Sequence, residues 1–530
     1  AWAAGIQPGD EELKVGKMAE KDPNLRYDDF AISVIMQGFD GKAKQLPLTL
    51  LRGEQELEVT ATPSARYSKD NDIYRVGLMQ PTTPIIASPA YSSHSYLSER
   101  KPDLKPGDRI IAVDGEKLPV DERYGEILGS DLTAKLQANW EKPVTVTIER
   151  VSEDGDQATE TLQLELPAVP VKTLGMGFAM GGITTIQADS PAAKAGLKSG
   201  DIMVAINGEK IENALHLPAR VGQLSGQELV ITVKRPNGNE TEAPTYESLD
   251  ISLTAPPQAS FDPIAELAGE LTLGGLGVAF QVRPEITQLD EKILGSDAGV
   301  QVGDELLQIQ WIASDKRKQE MSKIFRPQAF EALPVDSQFT VASFYDTLQS
   351  LPAGSEIKVW LKRDGKTVDT LLKLEYAQDW YWHQRGIGLS PLMQIHETDS
   401  IASALTLGTW ETSRRFTDVL DFLRMLVTGK IGAKGVGGPI AIAEAASSEA
   451  SFGVSRLMIF LTLLSANLAI LNFLPIPALD GGHMVFLTAE AIRGKPVSEA
   501  LQVRLTMAGV LGLLGLMAFV IVKDIMRLIS

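Results

Sequence analysis

The sequence predicts a multidomain chain, in which a β-rich α+β head built from a repeated module is followed by an α-helical membrane region with two transmembrane helices. Three observations predict this. A Gly-Asp pair leading into an apolar strand recurs at residues 9–10, 107–108, 200–201 and 303–304. Two uncharged apolar runs, 457–479 and 505–522, stand near the far end and are long enough to cross about 30 Å of hydrocarbon. The charge is divided in the same way: residues 379–530 hold 12 acidic and 12 basic side chains, so the whole net charge of -18 lies in 1–378.

At 530 residues the chain exceeds one ordinary domain. It opens on Ala1 with no basic, apolar signal segment, and the expectation is that the natural amino terminus lies upstream. The acidic head argues against nucleic acid as a partner and against docking on anionic headgroups. The absence of cysteine excludes disulfides, cysteine-ligated zinc and thiol catalysis, so a metal site must draw on His, Asp or Glu.

The four Gly-Asp pairs are 98, 93 and 103 residues apart, each step one small domain long. In the third copy a helix ended by Gly196 precedes the turn at Gly200-Asp201, an apolar strand follows over 202–206, and Asn207-Gly208 turns the chain back. With breaks at Pro63, at 167–170 and at 255–257, the units are 1–63 (a truncated copy), 74–168, 173–255 and 275–376. The module resembles the PDZ domain. The resemblance implies that Gly175, Met176, Gly177 and Phe178, and likewise Gly275, Leu276, Gly277 and Val278, form loops whose N–H groups receive a peptide's terminal carboxylate. A peptide strand would then add to the adjacent sheet edge. The second copy has only Val76-Gly77-Leu78 at this place. His216, at the start of a predicted helix, stands where some PDZ domains read ligand hydroxyls, although a surface histidine without a role is the stronger expectation. The insertions at 89–104 and 311–328 have no assigned purpose.

The first apolar run is 23 residues long and the second, bracketed by Arg504 and Lys523, is 18. Ahead of them Phe416, Val419, Leu420, Leu423, Leu426 and Val427 recur at helical spacing beside Arg414, Arg415 and Arg424. This pattern suits a helix lying on a membrane or one packed in a soluble domain equally well. A count of basic residues would place that segment in the cytoplasm, but on an amphipathic helix those residues can touch headgroups on either side, so the count does not set the orientation.

Chemistry concentrates in Asn472-Phe-Leu-Pro-Ile-Pro-Ala-Leu-Asp-Gly-Gly-His483. A carboxylate at the end of a membrane span is costly to bury, which makes Asp480 a functional candidate, with a polar turn in water as the alternative. Pro475 and Pro477 break the helix before it. Asn472, the prolines and Leu479-Asp480-Gly481, supported by Gly437-Gly438-Pro439-Ile440 and by residues 494–499, resemble the site-2 protease family of M50-type intramembrane zinc metalloproteases, especially its bacterial sigma-E-regulating branch. The likeness covers 402–530 closely. It implies that Asp480 completes the site of one zinc ion with two histidines of an H-E-x-x-H helix, whose glutamate is the general base. It also implies that Asn472, Pro475 and Pro477 hold substrate, and that Leu479, Gly481 and Gly482 support the motif.

The histidines are His94, His216, His383, His396 and His483, and none begins H-E-x-x-H, since His396-Glu397 ends at Ser400. His483 is expected to be structural or to support a ligand. The chain alone is therefore expected to be inactive. The resemblance further implies a multi-pass protein of the bacterial inner membrane with an extracytoplasmic head, residues 489–504 in the cytoplasm, and PDZ-like modules that gate or recognise substrate. Its expected partners are the lipid bilayer, a membrane-anchored substrate of the anti-sigma-factor kind and peptide tails, with no nucleic acid. The competing reading is a non-catalytic membrane scaffold whose PDZ-like modules bind extracytoplasmic tails.

Overall fold

The computed structural model describes residues 4–6, 10–15, 45–62, 64–66, 73–75, 78, 80–91, 96–100, 102–151, 159–224, 226–237, 245–255, 270–295, 298–313, 330–336, 339–382, 385–393, 400–427, 438–451 and 454–529. Gly9, Pro63, Val76, Gly77, His94, Pro256, Pro257, most of the 311–328 insertion, His383, His396 and Gly437 lie outside them. The chain divides into two compact units, 1–393 and 394–530.

In the first unit β1 (Glu11–Val15), β2 (Leu46–Arg52) and β3 (Gln55–Ala61) form an antiparallel sheet in that order, and β4 (Ser64–Arg66) pairs with β5 (Ile73–Arg75). Next come β6 (Thr82–Tyr91), α1 (Tyr96–Arg100), β7 (Arg109–Val113), β8 (Glu116–Lys117), α2 (Gly129–Ala138), β9 (Val144–Val151) and β10 (Thr159–Leu166). After β11 (Pro170–Thr173) the chain runs through β12 (Met176–Ile186), α3 (Pro191–Ala195), β13 (Ile202–Ile206), β14 (Glu209–Lys210), α4 (Leu217–Gln223), β15 (Glu228–Asn237) and β16 (Thr245–Thr254). The last head segment comprises β17 (Leu271–Leu273), β18 (Val278–Leu289), α5 (Glu291–Leu294), β19 (Glu305–Ile312), β20 (Leu333–Pro334), α6 (Val341–Ser350), β21 (Glu356–Arg363) and β22 (Lys366–Lys373). The strands β23 (Glu375–Tyr381) and β24 (Ile387–Pro391) close the unit.

Each Gly-Asp turn is built on one device. The carboxylates of Asp10, Asp108, Asp201 and Asp304 are buried and accept two bonds of 2.7–2.8 Å from Arg52, Arg150, Arg235 and Arg363. In the last three turns the same carboxylate also accepts the backbone N–H three residues before it. The Nη2 of each arginine also donates to a turn carbonyl, that of Gly5, Asp103, Gly196 or Gly299. A fork of donors meeting a carboxylate edge-on gives geometric specificity as well as charge neutralisation. The four turns therefore share side-chain chemistry as well as sequence.

The sheets do not respect the order of the repeats. β12 pairs antiparallel with β18, from Met176 opposite Leu289 to Ile186 opposite Val278, and joins the third and fourth segments along their length. One apolar core accordingly runs from Leu174 to Leu374, through Phe178, Phe280 and Phe344. A separate core gathers Ile86, Ile110, Leu132, Leu136 and Ile148, and a small one gathers Leu46, Leu48 and Leu50. β23 pairs with β11, and β24 returns across some 300 residues to pair with β6, completing the order β10-β9-β7-β6-β24. Arg385, fully buried, fixes this return: Nη1 donates to the carbonyls of Leu166 (2.8 Å) and Pro167 (2.6 Å), Nη2 to those of Asn139 (2.8 Å) and Lys142 (2.6 Å).

The second unit is helical: α7 (Ile401–Val427), α8 (Pro439–Ser451), α9 (Val454–Phe473), α10 (Asp480–Arg493) and α11 (Glu499–Ile529). Among the described residues one helix is long and apolar enough to cross a membrane, over Glu499–Ile525, with mean hydropathy 2.5. The run expected to span 457–479 contains a helix shorter than the run itself. It is helical only to Phe473, and its apolar part, Leu457–Phe473, is the shorter piece, because Pro475 and Pro477 withhold the N–H groups that would continue the helix.

Candidate functional site

Between α9 and α10 the chain is non-helical over 474–479, with a bend at Leu474 and a turn at Pro477 and Ala478. Short local bonds shape it, from Ile476 N–H to the Leu474 carbonyl and from Ala478 N–H to the Ile476 carbonyl, both 2.7 Å. Leu479 is the N-cap residue in an extended conformation, φ -110° and ψ 166°, and Asp480 opens α10. A carboxylate in the first turn of a helix is favoured by the helix dipole. Asn472 lies in the last turn of α9, half-buried, while Pro475 and Asp480 are exposed and Pro477 and Leu479 are half-buried.

The strip is clamped by glycines. A Cβ at Gly481 would stand 2.3 Å from the Leu474 carbonyl oxygen and 2.4 Å from that of Phe473, and one at Gly482 would stand 2.3 Å from that of Ile476. From α11, a Cβ at Gly509 would lie 2.2 Å from the Pro477 carbonyl oxygen. Only glycine permits such approach of backbone to backbone. A groove of about 490 Å³ runs beside the strip, lined by Phe473, Pro475, Gly481, Met484, Thr488 and Ile492.

α11 carries a second contact that sequence reasoning missed. The buried carboxylate of Asp524 accepts the N–H groups of Gly438 (3.1 Å), Ile440 (3.1 Å) and Ala441 (3.3 Å) at the start of α8, and a Cβ on Gly438 would meet its Oδ2 at 2.5 Å. The available signal was an acid just beyond an apolar run, downstream of a Gly-Gly-Pro helix start. Through Gly509 and Asp524 the long helix fixes both the strip and α8.

The profile of peptidase family M50 matches residues 90–516, most of the chain. The chain is a member of peptidase family M50. It is 29% identical over 365 residues to the regulator of sigma E protease of Haemophilus influenzae, an alignment covering 67% of this chain and 73% of that protein. It is 32% identical over 180 residues to the zinc metalloprotease RasP of Shouchella clausii, covering 33% and 42%. A crystal structure of a PDZ domain protein from Parabacteroides distasonis overlaps 71% of this chain and 92% of its own at 10% identity, with a TM-score of 0.12, too low to bear on the fold.

In this M50 peptidase a catalytic zinc would need three protein ligands and an open position. Among the described residues no three His, Asp or Glu side chains converge to supply them. His483 follows Asp480 by one helical turn, exposed, with its ring edge-on to Phe486 at 6.4 Å. The donor set of these residues thus does not by itself fit the ion.

In the head, the N–H groups expected to face a ligand are turned inward. Gly175 donates to Thr173 Oγ1 (3.0 Å), and Phe178 donates to Asn213 Oδ1 (3.2 Å). Met176 and Gly177 already lie in the β12–β18 ladder. Leu276 donates to the Leu273 carbonyl, Gly277 to those of Leu273 and Gly274, and Val278 opens β18. The two glycine loops sit at opposite ends of one strand pair, β12 pairing with β18 along one of its edges. His216 is not the surface histidine expected: it is half-buried at the start of α4, its ring 4.1 Å from that of Trp380, and burial pushes its pKa down to about 4 against the pull of Asp379.

Proposed function

We propose that this chain is the carboxy-terminal part of an intramembrane zinc metalloprotease, in which Asp480 donates one ligand to a single zinc ion. The observation that carries the reading is the placement of Asp480: first residue of a helix, directly after a non-helical, proline-broken strip clamped by Gly481, Gly482 and Gly509, in a member of an M50 family. A helical substrate hides its carbonyls in hydrogen bonds and must be held open to be cut. Asn472, Pro475 and Pro477 do this holding, with Leu479 completing the turn. The remaining ligands and the general base belong to an H-E-x-x-H element outside these 530 residues, so the chain alone is inactive. No catalytic step is assigned to residues present here.

The same proposal extends to the surroundings. α9 and α11 both cross the bacterial inner membrane; the 17 apolar residues of α9 reach about 26 Å, near the lower limit for a span. The head, tandem PDZ-like modules 1–63, 74–168, 173–255 and 275–376, stands on the extracytoplasmic side and gates access or reads peptide tails. The substrate is a membrane-anchored regulatory protein of the anti-sigma-factor kind. In the full-length protein Asp480→Asn should abolish cleavage of such a substrate and weaken zinc retention while the head stays folded. Turnover near wild type by that variant would overturn the assignment.

A further inference from the structure

The return of β24 to β6 has a geometry that topology alone does not require. β24 is antiparallel to β6, with Ile387 opposite Tyr91, Leu389 opposite Ile86 and Pro391 opposite Thr82. It therefore lies with its carboxy-terminal end at the start of β6. Beyond the strand, Leu392 N–H donates to the Pro81 carbonyl (2.7 Å), and its own carbonyl accepts from Gln80 Nε2 (2.9 Å). Ile387 and Leu389 pack on the core of Ile86, Leu132 and Leu136, and Leu392 is itself buried. Leu389 reaches the first turn of α2, where a Cβ on Gly129 would stand 3.1 Å from its Cδ1 and 2.1 Å from Thr82 Oγ1. The segment is an extended peptide laid between a sheet edge and a helix, with leucines three residues apart turned inward.

It is also weakly laddered. Two residues of β24, from Ile387 to Leu389, face five of β6, and the next two face four. Each such bulge leaves backbone groups of the longer strand without a ladder partner. Arg385 anchors the chain just upstream, and residues 387–392 themselves are held by Leu389, Leu392, the bonds at Gln80 and Pro81 and that from Thr83 Oγ1 to the Ser390 carbonyl (3.4 Å), contacts that a peptide of the same chemistry can reproduce.

We propose that residues 387–392 are a built-in ligand of the β6–α2 groove, displaced by an extended peptide that carries two leucine-type side chains three residues apart. This rests on the peptide-accepting reading of the head, but not on the protease reading. Tethering gives the internal strand an effective concentration on the order of millimolar, so an incoming peptide must compete against it. The displaced stretch leads along the chain to α7, which begins at Ile401. Releasing its six residues adds about 20 Å of extended chain to the connector before the helical unit. Occupancy of the groove is thereby converted into slack.

The test uses the full 530-residue chain in detergent and a fluorescein-labelled synthetic peptide of residues 386–392, read by anisotropy. Leu389→Glu should loosen the internal strand and tighten peptide binding at least tenfold, and Gly129→Val added to it should abolish the gain. Because the chain has no cysteine, Ile86→Cys with Leu389→Cys places a disulfide between register partners. The oxidised chain should bind no peptide and the reduced one, its internal strand weakened by the loss of Leu389, should bind it at least as tightly as wild type. Equal binding by the two redox forms overturns the proposal, as does a folded Leu389→Glu variant that binds no tighter than wild type. Should Leu389→Glu lose its circular dichroism, the disulfide comparison decides. No proteolysis is read, so either result leaves the role of Asp480 standing or falling on its own assay.

Discussion

Replacing Arg385 by methionine tests how the head holds its returning chain. The guanidinium is wholly buried and is met by four backbone carbonyls with no carboxylate among them. Burial pushes its pKa down to about 10, opposed weakly by Asp114. A fall of some two units corresponds to a desolvation cost of about 3 kcal/mol. Orphaning the four carbonyls costs about 1.5 kcal/mol each, or about 6 kcal/mol together. Methionine removes both terms, and the difference is a loss of about 3 kcal/mol. With a urea slope of about 2 kcal/mol/M the unfolding midpoint should fall by about 1.5 M. The assay is urea unfolding of the full chain followed by tryptophan fluorescence, since Trp382 lies three residues before Arg385 and donates to the Val169 carbonyl. Arg385→Lys should recover part of the loss, an ammonium being unable to span two pairs of carbonyls. A midpoint within about 0.3 M of wild type would refute the reasoning.

Other outcomes follow from the same geometry. Removing one member of a buried pair, as in Arg235→Met, should cost about 3–5 kcal/mol by urea unfolding, whereas Arg235→Met with Asp201→Leu should cost markedly less, because no charge is left stranded. The carboxyl of Asp304 is depressed: burial raises it, but the bonds from Arg363 and the Gln301 N–H outweigh that. Its contribution should thus be complete above about pH 4 and be lost as pH falls below it, and Asp304→Asn should flatten that acid limb. His216 is depressed as a base, so the unfolded chain takes up its proton first. Stability should fall as pH drops from about 6.5 towards 4, and His216→Gln should remove this slope in a series of thermal melts. In the helical unit Gly509→Ala should lower thermal stability by about 1–3 kcal/mol, as a Cβ meets the Pro477 carbonyl. Gly512→Ala, which meets nothing within 4 Å, should be silent.

Much of this was legible in the sequence, for reasons that differ by element. The Gly-Asp turns announce themselves because turn chemistry is local, and the helix break before Asp480 follows from two prolines. The arginines that answer the four aspartates do not, since they follow at separations of 42, 42, 34 and 59 residues. Only folding reveals the common partner. The contact of Asp524 with Gly438 and the pairing of β24 with β6 are likewise long-range, 86 and about 300 residues apart. Periodicity carries no information about either. His216 was misplaced because a histidine at a helix start reads as exposed until Trp380, from a distant strand, covers it.

The ladder between β12 and β18 also limits how the head can be cut and rearranged. Deleting residues 275–376 to ask what the fourth repeat does would strip β12 of its neighbour and expose Phe178 and Met180 to water, so the third repeat would fail along with the one removed. Genetic exchange of a single copy between relatives meets the same obstacle, and only the two copies taken together form an inheritable cassette. A deletion phenotype in either one reports on the pair.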